Sequence, residues 1–167
     1  PQPLKVNKLD KFKVTTAIAL ALTAVIIPIS QKEKNPCRVE IAYPHVSTYF
    51  ARKAGVDVVK VNAFSVCNRP HSRVTLTVRL WKEETLFKKM VAETISRHPG
   101  TLRANEKFYN QKTFAFCKSK KETLYYGIAY AKALIDGKWH FATHKLDIST
   151  PVKCGIRGKI VQMEVYL

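Results

Sequence analysis

Acidic side chains are scarce in this 167-residue chain, with 12 Asp and Glu against 29 Lys and Arg and a formal net charge of +17. A paired-carboxylate hydrolase would need two of Asp57, Glu83, Glu84, Glu93, Asp136 and Asp147 to converge, and nothing in their spacing requires it. The adjacent Glu83 and Glu84 read instead as the decoration of a turn. Glycine is also sparse, with 6 residues, and no G-x-x-x-x-G-K cradle for phosphates, G-x-S-x-G elbow or H-E-x-x-H pair occurs. Internal repeats and low-complexity stretches are missing, which excludes solenoids and collagen-like chains. His140 and His144 would share one ion on a helix, but on a strand they stand ~13 Å apart, too far to ligate one metal directly. His45 follows Pro44 and reads as a bend whose imidazole bonds to backbone. These absences leave a non-enzymatic reading with no cofactor, no metal and no catalytic residue.

What the chain does possess is one long uncharged run. Residues 14–30 hold 17 residues without a charge, and a helix of that length covers ~26 Å, close to the ~30 Å of a bilayer's hydrocarbon. Lys5, Lys8, Lys11 and Lys13 precede it against the single acid Asp10. That is the basic flank of an export signal and equally the cytoplasmic flank of an anchor. Small-x-small steps at Ala17/Ala19 and Ala19/Ala21 lie inside the run, and Pro28-Ile29-Ser30 at its end makes a poor cleavage site. The expectation is therefore an uncleaved N-terminal anchor, and either way residues 31–167 are sent outward. The resulting division is a basic flank (1–13), a signal peptide or anchor helix (14–30), a linker (31–36), a sandwich (37–155) and an edge strand or tail (156–167).

Cys37, Cys67, Cys117 and Cys154 all follow the apolar run, an even number in an oxidising compartment where disulfides persist. "LYYGIAYAKALI" and "KWHFATHKLDIS" flank Asp136-Gly137, the signature of a type I′ hairpin, whose two central residues both need positive φ. Extending that hairpin's register places Cys117 and Cys154 across its open end. At the front, "CRVEIAY" and "VDVVKVNAFSVC" fold about a loop holding Arg52, Lys53 and Gly55, which brings Cys37 to Cys67. The preferred pairing is thus Cys37 with Cys67 and Cys117 with Cys154. The alternative is an inter-sheet Cys67–Cys117 bridge beside Trp81, as in immunoglobulin domains.

"RVTLTVRLW" alternates strictly, with Val74, Leu76, Val78 and Leu80 on one face and Arg73, Thr75, Thr77 and Arg79 on the other. That pattern marks a half-buried antiparallel strand. "TLFKKMVAETI" follows as its hairpin partner across Lys82 to Glu84, and Ser96 to Asn110, with its Pro-Gly, reads as the long connection. About seven short strands and no sustained helical period beyond the N-terminus predict an all-β fold. Its form is a two-layer antiparallel sandwich preceded by one apolar helix.

The layout of Cys37, "YPHVS" from Tyr43 to Ser47, Cys67, "LTVRLWK", Cys117 and "TLYYG" resembles small exported four-cysteine proteins of Gram-positive actinobacteria. The resemblance runs from Cys37 to Gly155 and implies export and an immunoglobulin-like sandwich. No activity is assigned to such proteins, so it carries over no functional residue.

Removing the four lysines and one aspartate ahead of the apolar run leaves 25 basic against 11 acidic side chains, or +14. That exceeds what solubility needs and will attract polyanions. The clusters are Arg52-Lys53, Lys88-Lys89 and Lys118, Lys120 and Lys121, and the expected partner is an anionic polymer, a lipid surface or an acidic protein. A nucleic-acid partner is the weaker alternative, resting on Tyr125, Tyr126 and Tyr130 as stacking platforms. A further alternative is an accessory subunit of a membrane complex, its helix packing through Ala17, Ala19, Ala21 and Thr23.

Overall fold

The computed structural model describes residues 34–155; the apolar run and the tail from residue 156 lie outside the described residues. The elements in chain order are β1 (Cys37–Ile41), β2 (His45–Val46), α1 (Thr48–Lys53), β3 (Val58–Cys67), β4 (His71–Glu83) and β5 (Lys88–Leu102). Then come β6 (Lys107–Phe116), β7 (Thr123–Ile135), β8 (Lys138–Lys145) and β9 (Thr150–Val152). One sheet centres on β3, with β1 and β2 following each other along one edge and β6 on the other. The second runs β5-β4-β7-β8, with β9 continuing the β8 edge of β7. Among the described residues all pairings are antiparallel, and their nine strands make seven rows in two layers.

The alternating strand is β4. Val74, Leu76, Val78 and Leu80 are exposed by 1% or less; the last three pack in one core cluster with Val39, Val59 and Val61 of the opposite sheet, and Val74 in a second with Cys37 and Cys67. Burying each such side chain contributes ~1.5–3 kcal/mol. The layers approach closely at Gly127 of β7, where a Cβ would stand 2.5 Å from Ile41 Cδ1 and 2.9 Å from Val61 Cγ2. A Gly127→Ala variant is therefore expected to lose ~1–3 kcal/mol by overpacking, read as a lowered urea midpoint with unchanged slope.

Asp136 and Gly137 have φ of 47° and 75°, as the hairpin reading requires, and β7 pairs β8 in the expected register, Ile128 opposite Lys145. The bonds Cys37–Cys67 and Cys117–Cys154 both form, and no cysteine is free. The first joins directly paired residues of β1 and β3. The second has a different setting from the one expected. Cys117 follows β6, in the other sheet, so this bridge crosses between layers instead of closing the β7–β8 hairpin. The alternative Cys67–Cys117 pairing does not occur.

Two further expectations are corrected. Ser96 to Asn110 is no long connection, because β5 continues to Leu102 and only Arg103–Glu106 turns the chain. Pro99-Gly100 sits opposite a register shift between Ser72 and Val74 on an edge strand, where a bulge absorbs a residue that cannot donate to the ladder. The loop holding Arg52 and Lys53 forms α1, a six-residue helix with no buried residue and no side-chain cap. It is held by Phe50, whose ring centroid lies 4.6 Å from that of Phe114 on β6.

The registers give the sandwich two poles. The chain enters at the proximal pole, where Asn68 N–H donates to Pro36 C=O at 2.9 Å and where β3 ends, β4 begins and the β7–β8 turn lies. The distal pole gathers α1 and the connections 54–57, 84–87, 117–122 and 146–149. β3 has ten residues, which sets the poles ~30 Å apart at ~3.3 Å per residue.

Candidate functional site

Arg52 and Lys53 end α1, Lys88 and Lys89 open β5, and Lys118, Lys120 and Lys121 occupy the β6–β7 connection; all are exposed. These three clusters, far apart in sequence, come to the distal pole. The cause is topological. Antiparallel strands alternate direction, so every second connection returns to the same end, and each cluster lies on such a connection or beside it.

Between β5 and β6, edge strands of opposite sheets, the layers part into a cleft of about 360 Å³. Among the described residues, Lys82, Lys89, Lys118 and Lys121 line it with Glu84 the sole acid, and Ala115, Tyr125 and Val152 contribute apolar wall. Glu84 lies 3.3 Å from Lys82 Nζ. Among the described residues no carboxylate pairs with Lys89, Lys118 or Lys121. Tyr125 is 7% exposed, and burial pushes its hydroxyl pKa up while the charge of Lys82 pulls the other way. This lining is positively charged, with four lysines against one glutamate. Sequence reasoning missed Lys82 and weighed Tyr125 only as an exposed stacking platform; their places follow from the β4–β7 register that sets them opposite each other.

Lys88 faces the other side of β5. Its ammonium is 3.0 Å from Glu83 Oε1 and 5.1 Å from the ring centre of Tyr126. Hydrogen bonds from Lys88 and then from Ser149 hold the Glu83 carboxyl below its usual range. Tyr126 also stacks on Trp81 at 6.1 Å, with Lys145 Nζ 5.6 Å from its ring centre. Of the three tyrosines expected as stacking platforms, Tyr125 and Tyr126 are therefore buried; Tyr130 is half-buried, with Arg79 5.2 Å from its ring centre.

The groups weighed for catalysis do not assemble. Glu83 and Glu84 each engage a lysine at the end of β4. His45 Nδ1 is 3.0 Å from Tyr43 O, the backbone contact expected of it, and His144 Nδ1 is 3.1 Å from Val39 O. Among the described residues no three His, Cys, Asp or Glu side chains gather in a metal-binding group. No protein-family model matches the chain, and no curated protein matches it.

Proposed function

We propose that this chain is an exported, non-enzymatic immunoglobulin-like protein that holds an anionic component of the cell envelope, or an acidic protein, by the lysines of its distal pole. The observation that carries this reading is the convergence of Arg52-Lys53, Lys88-Lys89 and Lys118 to Lys121 on one end, around a cleft with four lysines and one glutamate. Converging cations attract a polyanion through counterion release, whereas scattered ones serve solubility alone.

Two supports bear on compartment and kinship. Two disulfides in a small domain are typical of extracytoplasmic proteins, which accords with a leader at residues 14–30. Taking the seven rows as strands A to G, the sheets are A-B-E and D-C-F-G. The immunoglobulin constant arrangement instead places D beside E. The crossing of strands between layers is shared, and the fourth strand has changed sheet. The resemblance to the actinobacterial proteins adds the same expectation of an exported sandwich.

The test is the salt dependence of binding to heparin, a soluble polyanion. Replacing Lys118, Lys120 and Lys121 by Gln is expected to make the log–log slope shallower by about 2, at ~0.7–0.9 per released contact. Gln at Arg103, Lys107 and Lys138 of the proximal pole should leave it unchanged. Equal losses from the two sets would show that only overall charge matters.

A further inference from the structure

The distal pole is apolar as well as basic. Leu86 and Phe87, at the tip of the β4–β5 hairpin, are 91% and 57% exposed, Ile148 is 69% exposed, and Tyr49 and Phe116 are 64% and 57% exposed. At the proximal pole the turns 68–70, 103–106 and 136–137 carry no exposed large apolar side chain, and Trp139 just beyond the last of them is 44% exposed. Single exposed apolar residues are ordinary; their collection on adjoining connections of one end is not. Contacts tie those connections together. Lys88 beside the hairpin tip and Lys145 at the end of β8 both lie over the Tyr126 ring, Phe114 touches both Phe50 and Phe116, and Cys117 N–H donates to Asp57 C=O at 3.0 Å.

We infer that the distal pole docks on the surface of an anionic lipid bilayer, with Leu86 and Phe87 entering the headgroup–acyl boundary and the lysines around them facing the phosphates. This rests on the anion-binding reading above and names which anion. A soluble polymer satisfies the lysines but gains nothing from the apolar tips. A lipid interface uses both, since apolar side chains partition into the boundary while lysine stems lie along it and their ammonium groups reach the phosphates. Each lysine held near such a surface contributes about fivefold in affinity. Glu83 and Glu84, the acids nearest the tip, are each engaged by a lysine and oppose the surface least.

The experiment uses the full chain held in nanodiscs of neutral phosphatidylcholine and offered separate vesicles of phosphatidylcholine mixed with phosphatidylglycerol, with heparin binding measured in parallel. The intact chain should capture the vesicles. Leu86→Ser with Phe87→Ser should weaken capture about a hundredfold while heparin binding persists and an unchanged urea midpoint reports that the domain remains folded. Leu86→Trp should show a blue-shifted emission on adding anionic vesicles and none with neutral ones. Undiminished capture by the double variant, or an unshifted emission, overturns the inference. Heparin binding without vesicle capture by the intact chain overturns it too and leaves the anion-binding reading standing. Binding to neither removes both.

Discussion

Reduction of both disulfides is expected to remove most or all of the domain's net stability. The bridges close loops with sequence separations of 30 and 37 residues, and loops of that length contribute ~3.5–4 kcal/mol each in the chain-entropy estimate. Together they rival the ~5–15 kcal/mol that a domain has in all. Cys37–Cys67 lies at the proximal pole and Cys117–Cys154 at the distal one, so the two effects should add. The measurement is urea unfolding of the oxidised chain, of Cys37→Ala with Cys67→Ala, of Cys117→Ala with Cys154→Ala, and of the fully reduced chain. Each double variant should lose about half of what full reduction removes. A reduced chain with the oxidised midpoint would show that hydrophobic packing alone suffices. Alkylation before reduction should modify no cysteine.

Asn110→Ala is the single substitution expected to cost most, ~2–4 kcal/mol, because it strips a buried polar group that several others need. Asn110 is 1% exposed in β6, and its amide nitrogen donates to Thr94 C=O at 3.1 Å on the opposite sheet. Its oxygen accepts from the Lys112 N–H at 3.2 Å and lies 3.2 Å from Thr113 Oγ1. The ladder between β3 and β6 shifts register at this place, between Val61 and Ala63. A shift of this kind leaves backbone donors without a strand partner, and the Asn110 side chain takes up that of Lys112. Alanine would take these bonds from the partly buried Thr94 carbonyl and Lys112 N–H and from the buried Thr113 hydroxyl, and leucine would not restore them. Gln111→Ala, an exposed neighbour, should stay within ~0.5 kcal/mol. Equal midpoints for the Asn110 and Gln111 variants would refute this role.

Features set by local chemistry were legible in the sequence. Strict alternation from Arg73 to Trp81 fixed which face of β4 is buried, and Asp136-Gly137 fixed a turn and with it a register running the length of β8. Features set by partners several strands away were not. Pro99-Gly100 carries a turn signal, yet it lies within a strand because β4 is long enough to keep β5 paired and the edge position tolerates the missing donor. Cys117 was assigned the right partner by extending a hairpin arm that in fact belongs to the other sheet. The lysine clusters were visible as runs, but their gathering at one end depends on strand order. Leu86, Phe87 and Ile148 carried no signal as single residues, since their grouping exists only once the connections are brought side by side.

The place where the polypeptide joins the sandwich also governs how the domain bears mechanical load. Tension arriving through residue 34 while the opposite end is gripped would act along the strands. On its own, the five-residue β1 would be the first to slide out of its ladder. The sulfur bridge at its first residue hands the pull straight to β3, the central strand of that layer, which is clamped along both edges. The joint is thus riveted at the point where the rope is tied.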